Sequence, residues 1–100
     1  MTTSIVKLAL VQMSCGTDRR ANVEKAIKRV GQAAEQGAQI VCLQELFAGQ
    51  YPCQSEDHEH FTWAESIPGP TSQAMSDAAR KHQVVVTGSI FERRAHGLYH

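Results

Sequence analysis

Ala38-Gln39-Ile40-Val41-Cys42-Leu43-Gln44-Glu45-Leu46-Phe47 decides the fold of this 100-residue chain. Ile40 to Leu43 read as a short apolar strand of the kind found inside an α/β sheet. Glu45 stands at its carboxyl end, where open α/β sheets gather their ligands. Flanked by Leu43, Leu46 and Phe47, a carboxylate there is poorly placed to meet bulk water, and an unpaired buried charge is costly. Three outcomes are open. A buried Arg or Lys pairs with it, it points out of the strand end, or its pKa is raised and it serves as a base.

Upstream of this strand, Val23, Ile27, Val30 and Ala34 recur at helical spacing and predict a helix from about Arg19 to Gln36. Asp18 is placed to cap its start and Gly37 to end it. Ile5 to Gln12 precede it as a first strand, mostly apolar and so expected to be covered on both faces. Downstream, residues 46–70 are long and irregular, and Phe61, Trp63 and Ile67 argue that this segment packs against something. A second helix is expected from Pro70 or Thr71 to about His82, with Ala74, Met75, Ala78 and Ala79 on one face. Val84 to Phe91 read as a third buried strand. Ala95-His96-Gly97 reads as a hairpin turn, and Leu98-Tyr99-His100 as the opening of a fourth strand.

The order β-α-β-loop-α-β-β, with helices alternating with apolar strands, is that of an α/β protein. Three central strands and two helices leave a sheet face or edge uncovered. Residues 1–100 are therefore expected to be the N-terminal part of a single larger domain.

Ten basic and ten acidic side chains cancel, so nothing in the charge draws the chain to nucleic acid or to an anionic membrane. No stretch approaches the ~20 apolar residues of a membrane span. Met1-Thr2-Thr3-Ser4 lacks the basic start of a signal peptide. Cys15, Cys42 and Cys53 are odd in number and form no CxxC, which fits a reducing, cytoplasmic setting.

Other groups carry weaker chemical signals. Cys53-x4-His58-x-His60, interleaved with Glu56, Asp57 and Glu59, matches no strong zinc spacing and reads as a solvated polar loop. Cys42, three residues before Glu45, falls on the opposite strand face and reads as a small buried hydrophobe. Cys15, in the first turn, could border a site, but a nucleophile needs an activating His or Lys beside it. Gly88-Ser89 is not the GxSxG elbow, and neither GxGxxG nor a P-loop is present. Tyr51 and Tyr99 are each either core residues or substrate contacts.

Taken together, Val6-Lys7-Leu8-Ala9-Leu10-Val11-Gln12, Asn22, Gly37 to Leu43, Glu45-Leu46-Phe47, Ile67-Pro68-Gly69-Pro70-Thr71 and Val86-x-Gly88-Ser89 resemble, in order, the nitrilase superfamily of carbon-nitrogen hydrolases. The resemblance covers essentially the whole chain. Within the superfamily, Tyr51-Pro52-Cys53-Gln54, Ser55-Glu56-Asp57, Ala64-Glu65 and Gly88-Ser89-Ile90-Phe91-Glu92 are most similar to the branch that hydrolyses N-carbamoylputrescine to putrescine, carbon dioxide and ammonia in polyamine biosynthesis. One departure is Gln44, where the family usually has Pro.

The resemblance implies the N-terminal portion of a four-layer α-β-β-α sandwich carrying a Glu-Lys-Cys triad. The Glu is the general base towards the Cys thiol, the thiolate attacks the amide or ureido carbon, and the Lys helps to stabilise the oxyanion. Only the Glu maps onto this chain, as catalytic Glu45. The Lys and Cys fall beyond residue 100, and none of Cys15, Cys42 and Cys53 takes the nucleophile position, so the 100 residues alone are expected to be inactive. Tyr51 matches a tyrosine beside the substrate. The partner implied is a small carbamoylated amine, whose ammonium end needs carboxylates or an aromatic face. Glu56, Asp57 and Glu59 are available to it, although a solvated loop explains them better. The resemblance implies a homo-oligomer with no metal or organic cofactor. The alternatives are another branch of β-ureidopropionase or ω-amidase type, or a non-catalytic α/β binding module if the natural chain ends at His100.

Overall fold

The computed structural model describes residues 4–52 and 58–100. Strand β1 (Leu8–Val11), helix α1 (Arg19–Glu35) and strand β2 (Ile40–Leu43) form a first β-α-β unit. Helix α2 (Pro70–His82) and strand β3 (Val85–Thr87) complete a second. The three strands pair in parallel in the order β1-β2-β3, which makes β2 central. When parallel strands advance in one direction, right-handed crossovers lay their helices on the same sheet face. Accordingly α1 packs beside α2, and both contribute to the core on that face.

The caps expected from the sequence are made. Asp18 Oδ1 accepts from the Ala21 N–H at 3.2 Å, satisfying one of the donors that a helix start leaves unpaired. After α1 the chain turns through Gly37 at φ +89°, a conformation open to glycine without penalty. Pro70 opens α2, where its missing N–H costs nothing. The buried carboxylate of Glu65 closes the same end, accepting from the Thr71 N–H at 3.0 Å and the Thr71 hydroxyl at 2.8 Å. Negative charge at a helix N-terminus also suits the helix dipole, as do Arg80, Lys81 and His82 in the last turn.

Register fixes which residues form the core. Ala9, Val41 and Val86 lie in one row and Val11 and Leu43 in the next, facing Ala26 and Val30 of α1 and Ala78 of α2. The alternate rows, Leu8-Ile40-Val85 and Leu10-Cys42-Thr87, line the other face. Here the expectations of a fully covered first strand and a buried third strand are corrected: in β1 Leu10 is 82% exposed and Leu8 61%, and in β3 Val85 is 56% exposed. Both helices cover one face, and among the described residues nothing comparable covers the other. Cys42 is half-buried on this open face rather than in the core.

The third strand is shorter than expected. Its continuation gives way to strand β4 (Arg93–Ala95), which pairs antiparallel with β5 (Leu98–Tyr99) across the turn at Gly97. Within the long connection, a 3-10 helix (His58–Trp63) sets Phe61 against Tyr99, with ring centroids 4.6 Å apart, and Trp63 against His60 at 4.3 Å. The aromatic residues of this segment therefore pack, as the sequence indicates, while Phe61 and Trp63 remain partly exposed. Cys53, Gln54, Ser55, Glu56 and Asp57 lie outside the described residues, and with them most of the Cys-His loop and two of the three carboxylates considered for an ammonium group. No group of three or more His, Cys, Asp or Glu side chains able to hold a metal ion occurs among the described residues.

Candidate functional site

Glu45 lies on the turn that leaves the carboxyl end of β2, the central strand. The apolar neighbours do not bury it. Leu43 and Phe47 turn into the core, while Glu45 is exposed and its carboxylate makes no ion pair among the described residues. Of the three outcomes open to this carboxylate, pairing with a buried Arg or Lys does not occur among the described residues, and the side chain is exposed at the end of the strand. The physical reason is the turn itself. The strand stops at Leu43, so strand alternation no longer governs the side chains that follow.

The backbone carrying Glu45 is held on both sides by contacts distant in sequence. Gln44 Oε1 accepts from the Met13 N–H at 2.6 Å, and Gln44 Nε2 lies 3.5 Å from Cys15 Sγ. The Met13 amide can only donate, which fixes the way round of the Gln44 amide. The Cys15 thiol in turn donates to the Phe47 carbonyl at 3.1 Å. Leu46 takes φ +49°, a left-handed conformation that costs a branched residue of order 1–3 kcal/mol. Its N–H is satisfied by Ser89 Oγ at 2.8 Å. Two residues beyond Leu46, Asn22 Nδ2 donates to the Ala48 carbonyl at 3.1 Å and to the Gly16 carbonyl at 2.9 Å, and Asn22 Oδ1 accepts from the Gly16 N–H at 2.9 Å. Strained backbone persists where surrounding contacts over-determine it, and such places cluster at functional sites.

Phe47 anchors this turn in the core and is fully buried. Gly88, the residue after β3, lets it seat. A Cβ there would stand 3.1 Å from Phe47 Cε1 and 2.9 Å from Met75 Cε, closer than packed side chains tolerate. Gly88-Ser89 is thus a supporting corner under the turn, with the glycine admitting Phe47 and the serine holding Leu46.

A cavity of about 330 Å3 opens beside the turn, lined by Leu46, Gln50, Trp63, Glu65, Ser89 and Phe91 among others. Arg19 forms part of its wall, with its guanidinium 3.6 Å from Glu65 and donating to the Trp63 carbonyl. Gln50 and Pro52, the neighbours of Tyr51, also line it, while Tyr51 is 40% exposed. Neither of the two site residues singled out from the sequence, Glu45 and Tyr51, lines this cavity, although their chain neighbours Leu46, Gln50 and Pro52 do. Cys15, read from the sequence as able to border a site, ties this turn, whereas Asn22, Ser89 and Glu65 enter the sequence reading through the family resemblance and Gln44 as a departure from it. For Asn22 a signal exists: it shares a buried helical stripe with Ala26 and Val30, where a polar side chain requires partners.

Burial pushes the Cys15 thiol above its ordinary value of 9.0, with Lys25 pulling weakly the other way. A group whose pKa rises on folding contributes stability that is whole below the unfolded value and lost as pH climbs through the folded one. Stability is therefore expected to decline as pH rises past 9.0, in part because the thiolate can no longer donate to Phe47. Cys15→Ser keeps a donor that does not ionise in this range and should flatten that part of the decline. Urea midpoints measured across alkaline pH check this, and identical alkaline limbs for the two proteins would refute it.

The chain matches the carbon-nitrogen hydrolase family over residues 7–100. It is 38% identical over 96 residues to an N-carbamoylputrescine amidase of Solanum lycopersicum, covering 95% of this chain and 32% of that protein. It is 36% identical over 95 residues to Omega-amidase NIT2 of Bos taurus, covering 93% and 33% respectively. The crystal structure of a carbon-nitrogen hydrolase from Helicobacter pylori G27 superimposes with a TM-score of 0.87 at 33% identity, over 95% of this chain and 33% of that one. The chain thus spans about a third of the length of the relatives it matches.

Proposed function

Because this chain belongs to the carbon-nitrogen hydrolase family, we propose that it forms the N-terminal part of an amidohydrolase whose general base is Glu45. The observation that carries this reading is the position of Glu45 on a multiply anchored turn at the carboxyl end of the central strand, beside a cavity. The lysine and the nucleophilic cysteine of the triad come from sequence beyond residue 100. The open apolar face of the sheet, with Leu8, Leu10 and Val85 exposed, supports a second sheet packing there to complete the four-layer sandwich.

In this reaction Glu45 takes the proton of the cysteine thiol and the thiolate attacks the carbonyl carbon. The lysine ammonium and backbone donors stabilise the oxyanion, and collapse of the adduct breaks the C–N bond, the amine or ammonia leaving with the proton that Glu45 took from the thiol. Water then releases the acyl or carbamoyl group, with Glu45 again accepting a proton. The preferred substrate is N-carbamoylputrescine, and the enzyme is a cytoplasmic homo-oligomer in polyamine biosynthesis. Tyr51 contacts the substrate, offering an aromatic face to its ammonium end. The similarity to amidases named for this substrate supports the choice.

A second reading, an ω-amidase, is favoured by the 36% identity to Omega-amidase NIT2. Rates of the intact hydrolase on N-carbamoylputrescine, a carbamoylated β-amino acid and a dicarboxylic monoamide separate the branches. The highest kcat/KM is expected on the carbamoylated amine. Preference for the monoamide would overturn the substrate assignment in favour of the second reading.

A further inference from the structure

Gln44 sits immediately before Glu45, and its side chain turns to the loop that follows β1. It is half-buried, and both ends of its amide are engaged on the loop that follows β1. Through Met13 it joins the end of β1 to the end of β2. Through Cys15 it joins the same loop to the Phe47 carbonyl, two residues beyond Glu45. The contacts thus close a ring, Gln44-Cys15-Phe47, around the two residues between them, Glu45 and Leu46. Each polar end of Gln44 holds one of these bonds, and Glu45 itself contributes no contact to the ring. A strained φ at Leu46 within the same segment means that the turn would relax if its ties were cut.

We propose that Gln44 and Cys15 are positioning residues that fix the direction of the Glu45 carboxylate. This rests on Glu45 being the general base. Positioning errors of about 1 Å cost rates on the order of a hundredfold, so a turn freed on its β1 side loses turnover while its chemical groups all remain. Cys15 acts here as a thiol donor rather than as a nucleophile, a role that serine can perform and alanine cannot.

The test is a kinetic cycle in the intact hydrolase with Q44A, E45Q and the double variant, beside C15A and C15S. Q44A is expected to lower kcat about ten- to a hundredfold with KM nearly unchanged. In the E45Q background the same change should do almost nothing further, because no carboxylate remains to be aimed. C15A should lower kcat in the same manner and C15S restore it. Should Q44A fail to fold, the two Cys15 variants, each measured with and without E45Q, read the same ring. Full activity of Q44A or C15A, or an equal loss on adding either to E45Q, overturns the positioning role while leaving the base in place. Full activity of E45Q alone overturns the base, and the positioning proposal with it.

Discussion

Replacing Phe47 with alanine is expected to destabilise the protein by about 3–5 kcal/mol, the range for emptying a buried aromatic site. The loss has two parts. Transfer of the ring from the core to water removes its burial energy, and the space it leaves is bounded by elements that cannot all close on it. Leu43 is fixed in the central strand and Met75 in α2, while Gly88 has no side chain to move inward. Against total stabilities of about 5–15 kcal/mol, this is a large fraction. The effect is expected as a lower urea midpoint at unchanged m-value in the intact hydrolase. A change below about 1 kcal/mol would show that Phe47 is not the anchor of the Glu45 turn, since a surface residue costs that little.

The anchor matters because it was only half visible from the amino-acid order. Phe47 reads as one of several apolar residues after a strand, and nothing local says that it enters the core while Glu45 two residues earlier stays outside. What decides it is the end of β2 at Leu43 and the left-handed turn at Leu46. Helices α1 and α2, by contrast, were legible almost to their ends. Their apolar spacing, Asp18, Gly37 and Pro70 are local signals, and each is matched by a bond or backbone angle.

The error over β1 has a different origin. A strand apolar on both faces says that both are to be covered, but not by which part of the protein. Here the helices reach only the rows of Ala9 and Val11. Strand β4 was missed because Arg93-Arg94-Ala95 offers neither apolar alternation nor β-branched residues. The position of Glu45 at the end of the central strand was readable, and its exposure was not. The ties made by Gln44, Cys15 and Ser89 join segments far apart in the chain. Contacts of that kind leave no periodic trace in the sequence.

Glu45→Gln is the second change with a large expected effect. Glutamine keeps the volume and nearly the shape of the side chain, and Glu45 makes no ion pair among the described residues that the change would break. The exposed position on the turn makes a neutral side chain structurally harmless there. The stability of the intact hydrolase should therefore be unchanged. What is lost is the ability to accept a proton. General-base catalysis by a positioned carboxylate contributes about 10²–10⁴-fold, and a thiol that must ionise unaided is a poor nucleophile at neutral pH. Binding does not need the proton transfer, so the loss should fall on kcat rather than on KM.

The most direct measurement is the turnover of N-carbamoylputrescine by the intact hydrolase carrying E45Q, beside the unaltered enzyme, with thermal unfolding recorded on both. The prediction is a kcat lower by about 10²–10⁴-fold, at the same unfolding temperature. Turnover within a few-fold of the unaltered enzyme, in a protein that folds as well, would contradict the assignment of Glu45 as the base.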